Sequence, residues 1–228
     1  EKLADCPCIG RSHPGLAVTD GKVYIAGGFG EFCPRADPPC ETHSGRKSLM
    51  GASGNLNDAW MYNVESDSWE QLSDLTYRNH HPFQFGIGDD VYFLAGHDGA
   101  FLYNETYVYD EAADTWTAVA PIPGKGRVAG QQFTLPGDKY GCIIGGEVIE
   151  DTTSFLAGFT NTPDSNLTAR DQRVHHRSLP TCEFLCYVKE TNTWIKLPPA
   201  PGRSRWYVLG FVLGLSVSLF VIYAYIIP

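Results

Sequence analysis

With 228 residues, 43% of them hydrophobic and 19% charged, the chain is long and apolar enough to bury a core, which excludes general disorder. A net charge of −9 excludes wrapping a phosphate backbone, so no nucleic-acid partner is expected. The 24 Gly and 15 Pro beside 12 Tyr, 12 Phe and 5 Trp suit short strands joined by tight turns, and two Met with no long amphipathic stretch disfavour a helical bundle.

Residues 1–10 form a lead-in containing Cys6 and Cys8. A first unit, 11–72, opens on Arg11, turns at Asp20-Gly21 and carries the run VYIAGG, which ends in Gly27-Gly28. It closes on Tyr62 and Trp69, separated by six residues with a polar turn between them. The second unit, 77–119, repeats the frame with Arg78, Asp89-Asp90, Ala95-Gly96, Tyr109 and Trp116. The third, 127–197, repeats it with Arg127, Gly137-Asp138, Gly145-Gly146, Tyr187 and Trp194. Each unit reads as a four-stranded antiparallel meander; in the second, strands are expected near 83–87, 91–95, 106–109 and 116–119. The small pair lets backbones crowd at a strand end. The Tyr and Trp stand on neighbouring strands and fill the space between adjacent sheets.

This ordered set of small pair, Tyr-x6-Trp and Arg resembles the kelch repeat, one blade of a β-propeller. The resemblance covers residues 11–205 and implies an all-β fold: a partial propeller of about three four-stranded blades. The structural positions of the repeat are then Gly27, Gly28, Gly96, Gly145, Gly146, Tyr62, Trp69, Tyr109, Trp116, Tyr187 and Trp194. Ala95 departs mildly from the doublet. Three blades do not close a ring, and open blades leave edges and apolar faces bare. Missing blades are therefore expected, from upstream chain or from another subunit, with Cys6 and Cys8 as candidate links to them.

The units differ in length between the small pair and the Trp. Forty-one residues lie from Gly28 to Trp69 and 48 from Gly146 to Trp194, against 20 from Gly96 to Trp116. Both extra segments fall between the second and third strands, so they share one face of the disc, where binding loops gather. The first holds Cys33 and Cys40, a candidate local disulfide. The seven Cys include no CxxC pair, which favours disulfides in an oxidising compartment over zinc. Asn104 and Asn166 begin glycosylation acceptor tripeptides.

Residues 198–205 form a linker, and 206–227 read as a transmembrane helix. No charge occurs from Tyr207 to Ile227, a run of roughly 31 Å as a helix. Gly210, Gly214 and Ser218 recur every four residues and offer a face to a transmembrane neighbour within the lipid. The acceptor tripeptides and Cys usage place the blades outside the cytoplasm or in a lumen. Arg203 and Arg205 beside the helix favour the alternative, a cytosolic tail-anchored protein.

No cofactor and no metal is expected. Copper-radical oxidases also carry kelch blades, but their site needs two Tyr, two His and a Cys crosslinked to one Tyr, and no His here matches by spacing. His80-His81 is a poor metal pair, because adjacent side chains on a strand face opposite ways. The expected function is a non-catalytic, membrane-anchored propeller that binds protein or glycan, as a receptor, an adhesion protein or an accessory subunit. The alternative is an oxidase-like or glycan-processing enzyme whose catalytic blades lie elsewhere.

Overall fold

The alternating apolar residues of each unit build short strands, numbered here in chain order. The computed structural model describes residues 2–30, 54–98, 102–149 and 178–199. Cys33, Cys40, Asn166 and the apolar segment bearing Gly210, Gly214 and Ser218 lie outside them. Among the described residues no helix is long and apolar enough to cross a membrane.

The first unit contains β1 (Arg11–Ser12), β2 (Gly15–Thr19), β3 (Lys22–Ala26), β4 (Phe29–Gly30), β5 (Gly54–Asn55), β6 (Ala59–Asn63) and β7 (Ser68–Leu72). The second contains β8 (Phe83–Ile87), β9 (Asp90–Leu94), β10 (Thr106–Asp110) and β11 (Thr115–Val119). The third contains β12 (Arg127–Val128), β13 (Gln131–Thr134), β14 (Tyr140–Ile144), β15 (Glu147–Ile149), β16 (Ser178–Pro180), β17 (Phe184–Val188) and β18 (Thr193–Leu197). Three four-stranded antiparallel meanders result: β2-β3-β6-β7, β8-β9-β10-β11 and β13-β14-β17-β18. The four strands expected in the second unit fall within one residue of those observed.

The first strand of each meander lies nearest a common axis, since β8 touches both β2 and β13. Adjacent sheets pack face to face, and the hydrophobic core is divided between the two joints. Between the first and second sheets lie Ala17, Tyr24, Ala26, Met61 and Leu72, against Val91, Phe93, Tyr109 and Trp116. Between the second and third lie Phe83, Phe85, Ile87, Tyr92 and Leu94, against Ile143, Leu185, Tyr187 and Trp194. Neither face of a sheet is a core by itself, so each blade depends on its neighbour.

Beyond the small pairs each unit carries a second, smaller sheet. It is β1-β4-β5 in the first unit and β12-β15-β16 in the third. In the second it shrinks to the bridges His80–His97 and His97–Leu102. The long segments of the first and third units therefore leave from paired stems, β4/β5 and β15/β16. Both stems lie at the end of the blades where the second strand finishes and the third begins.

Candidate functional site: inter-blade clamps and a histidine cluster

In all three units the Tyr and Trp are direct cross-strand partners: Tyr62 with Trp69, Tyr109 with Trp116, Tyr187 with Trp194. Their rings lie 5.0–5.5 Å apart. Each Tyr hydroxyl donates to the residue five positions later, Asp67, Asp114 or Asn192. Those three residues hold left-handed backbone, with φ of 48°, 49° and 51°, which Asp and Asn tolerate better than most side chains.

The same oxygens reach the preceding unit. Asp114 accepts the Ser73 N–H at 2.8 Å, and Asn192 accepts that of Ala120 at 2.8 Å. The Trp indoles complete each clamp, Trp116 donating to the Ser73 carbonyl and Trp194 to that of Ala120, both at 2.9 Å. In the first unit Asp67 and Trp69 make the same two bonds to Ala4. Ala4 thus occupies the place that the end of a preceding blade's outer strand takes elsewhere.

Hydrogen bonds from Ser73 and Tyr109 hold the Asp114 carboxyl below its usual range. Because Asn192 does the same work, Asp114→Asn is expected to change stability by under ~0.5 kcal/mol. Asp114→Val is expected to cost about 2–4 kcal/mol, through lost bonds and a β-branched residue at left-handed φ. Urea unfolding of the two variants checks this.

The small pairs turn the chain back beside the buried opening of each unit. Arg11 donates to the Gly27 carbonyl at 3.0 Å and pairs in bidentate fashion with Asp58. Arg127, 1% exposed, pairs with Glu183. In the second unit Arg78 does not hold this position. Asn79 does, fully buried and donating to the Ala95 carbonyl at 2.6 Å. The connection is shorter by one residue there, 10 from Trp69 to Asn79 against 11 from Trp116 to Arg127, so Arg78 slips outward. A Cβ on Gly96 would collide with Asn79, which explains the glycine. Backbone bonds then lock successive units, Gly28 N–H to Asn79 O at 2.7 Å and Gly96 N–H to Arg127 O at 2.9 Å.

Next to these junctions the structure gathers four histidines. His80 exchanges backbone hydrogen bonds with His97, and the His81 N–H donates to the His13 carbonyl. His81 is not on a regular strand: its φ is 55°, and that of His13 is 49°. The turn brings the rings of His80 and His81 to the same side, 4.0 Å apart, which corrects the expectation of opposite faces. His13 stacks on His81 at 4.1 Å, and its Nδ1 lies 3.3 Å from His80 Nε2. Burial and neighbouring imidazoles lower His80 to about 4 and His81 to about 3. Burial, with His81 beside it, lowers His97 to about 4. These three rings are therefore uncharged at neutral pH.

No family model matches the chain. Among curated proteins it is 27% identical over 140 residues to the F-box/kelch-repeat protein SKIP20 of Arabidopsis thaliana, covering 56% of this chain and 28% of that protein. It is 22% identical over 120 residues to Kelch-like protein 25 of Xenopus tropicalis, covering 53% and 16%. It is 25% identical over 183 residues to an N-acetylneuraminate epimerase of Haemophilus influenzae, covering 65% and 44%. Among solved structures, that of YjhT superposes with a TM-score of 0.60 at 16% identity, over 89% of this chain and 56% of that one. The fold is that of a β-propeller, and two of these relatives are named as kelch proteins. The chain spans under half the length of each of these curated relatives and about half that of the solved structure.

In the kelch frame Gly27, Gly28, Gly96, Gly145 and Gly146 all have positive φ, as the doublet turn requires. Cys6 and Cys8 are joined to each other, not to another segment. The spacing gave no hint of the second disulfide, Cys142–Cys186, between residues directly opposed on β14 and β17. Cys182 is a free thiol. The Asn104 amide nitrogen, which a glycan would occupy, donates to the Ile122 and Gly124 carbonyls and steadies the connection leaving β11.

Proposed function

We propose that this chain is part of a membrane-anchored, non-catalytic kelch propeller that binds a protein or glycan partner, and that further kelch blades stack on its first blade. The observation that carries the reading is the outward face of that blade. There Leu16 pairs with Ile25 and Val18 with Val23, yet Leu16 is 49% exposed and Val18 65%. The equivalent faces of the second and third blades are covered by a neighbouring sheet. Ala4, held by Trp69 and Asp67, already supplies the clamp such a neighbour would make.

The paired stems at one end of the blades support a binding surface there. The uncharged run 207–227 supports the anchor, and its Gly210, Gly214 and Ser218 stripe supports packing on a neighbouring helix in a membrane complex. The Cys142–Cys186 pair supports an extracellular or lumenal setting.

Native mass spectrometry of the full-length protein in detergent tests the reading. An assembly with more than three kelch blades per particle is expected, contributed by one chain or by two. Where the blades come from separate chains, Leu16→Asp with Val18→Lys should split it; where they lie on one chain, the same variant should lower its melting temperature sharply. A particle of only three blades, indifferent to both substitutions, would sink the proposal.

A second reading is favoured by the relative named as an N-acetylneuraminate epimerase. Proton NMR of N-acetylneuraminate with the purified protein separates the two: catalysed interconversion supports an enzyme, and shifts without turnover support a binding module.

A further inference from the structure

From the convergence of His13, His80 and His81 we infer a transition-metal site of the Zn²⁺ class that joins the first two blades at their axial end. Among the described residues these three form the one set of three or more histidine, cysteine or carboxylate side chains whose donor atoms lie within 4.8 Å of one another. Zinc–nitrogen bonds of about 2.0–2.1 Å at tetrahedral angles place ligand nitrogens ~3.3 Å apart. His80 Nε2 and His13 Nδ1 already stand 3.3 Å apart. The His81 donor atom lies within 4.8 Å of both, and bringing it to ligand spacing takes a rotation about its side-chain torsions.

The donor set is all imidazole. Neutral imidazole suits Zn²⁺, Cu²⁺ or Ni²⁺ and not Ca²⁺ or Mg²⁺, which take oxygen ligands. Three protein ligands leave a fourth position for water or a donor from a partner. The backbone has fixed the ligands beforehand. His13 and His81 each lie two residues before an inner strand, β2 and β8, at matching left-handed turns, and the His81 N–H bonds to the His13 carbonyl. The Phe29 ring, 5.2 Å from that of His80, covers one side with apolar surface. In the third blade the matching position is Ala129, also at positive φ, so the backbone turn recurs without the ligand. His97 lies beside the set and is not one of the three. Because His13 belongs to one blade and His80 and His81 to the next, a bound ion cross-links the joint.

Chelator-treated full-length protein is titrated with ZnCl₂ against a chromophoric competitor. One Zn²⁺ per chain and a raised melting temperature are expected. His13→Asn and His81→Asn, which keep a residue that tolerates left-handed φ, should each weaken binding at least tenfold with the metal-free melting temperature little changed. Co²⁺ added to the unaltered protein reads the ligands without any substitution. Visible bands of a nitrogen-ligated, four- or five-coordinate ion without a thiolate charge-transfer band support the site. Absence of stoichiometric binding, full affinity in both variants, or a thiolate band would each overturn it.

Discussion

Phe85→Ala is expected to lower the unfolding free energy by about 3–5 kcal/mol, the cost of removing a buried aromatic ring and leaving the cavity. Phe85 is 2% exposed and projects from β8, the inner strand of the second blade, into the joint with the third. Its ring lies over Gly141 on β14, where any Cβ would strike it, and 5.6 Å from the ring of Tyr92. The joint is thus a ring set into a glycine gap. Gly141→Ala, filling the gap from the other side, should destabilise by about 1–3 kcal/mol through overpacking. Phe85→Leu with Gly141→Ala should recover part of the loss, because the smaller side chain makes room. Urea unfolding of the three variants decides it. If Phe85→Ala costs under about 1 kcal/mol, the joints do not carry the core.

Loss of the Cys142–Cys186 disulfide is the second large effect. The bridge closes a loop of sequence separation 44 that contains the long segment of the third blade. Constraining an unfolded loop of that length is worth about 4 kcal/mol in the chain-entropy account. Both cysteines are fully buried on adjacent strands, so the folded blade shields the bridge from reductant. Urea unfolding of a Cys142→Ala/Cys186→Ala variant, which removes this bridge and leaves the other cysteines as they are, is expected to show stability lowered by about that amount. A change below 1 kcal/mol would mean that the bridge does not constrain the unfolded chain.

The blade frame was legible because its signals are local. Tyr and Trp separated by six residues must face each other across a hairpin whose turn occupies the residues between them. The small pair reports a left-handed turn that recurs in every unit. The departures came from geometry that spacing does not encode. A connection one residue shorter put Asn79, not Arg78, into the buried position, so counting arginines misplaced that element. The histidine cluster was hidden for two reasons: left-handed φ at His81 breaks the alternation assumed for a strand, and His13 arrives from 67 positions away. Opposed cysteines on β14 and β17 depend on register across a long insertion. Ala4 carries no signal at all, since it acts through backbone atoms alone.

The clamps explain why the repeat keeps polar residues in exposed hairpin turns. Asp114 and Asn192 each tie the local Tyr to the blade before it, and Asp67 ties Tyr62 to Ala4 of the lead-in, so turn chemistry and stacking rest on the same side chain. A burial-only view would class these turns as unimportant surface. Hydrogen bonds from Tyr62 and Ala4 to Asp67, and from Ser73 and Tyr109 to Asp114, hold both carboxyls below their usual range.

Incomplete stacking at the first blade is the central claim, and a cryo-electron microscopy structure of the full-length protein in a lipid disc tests it most directly. The account predicts a further four-stranded sheet lying on Leu16 and Val18, with the Trp69–Ala4 clamp retained at its margin. A three-bladed particle with those two side chains in solvent, or with that face covered by anything other than a kelch blade, would contradict it.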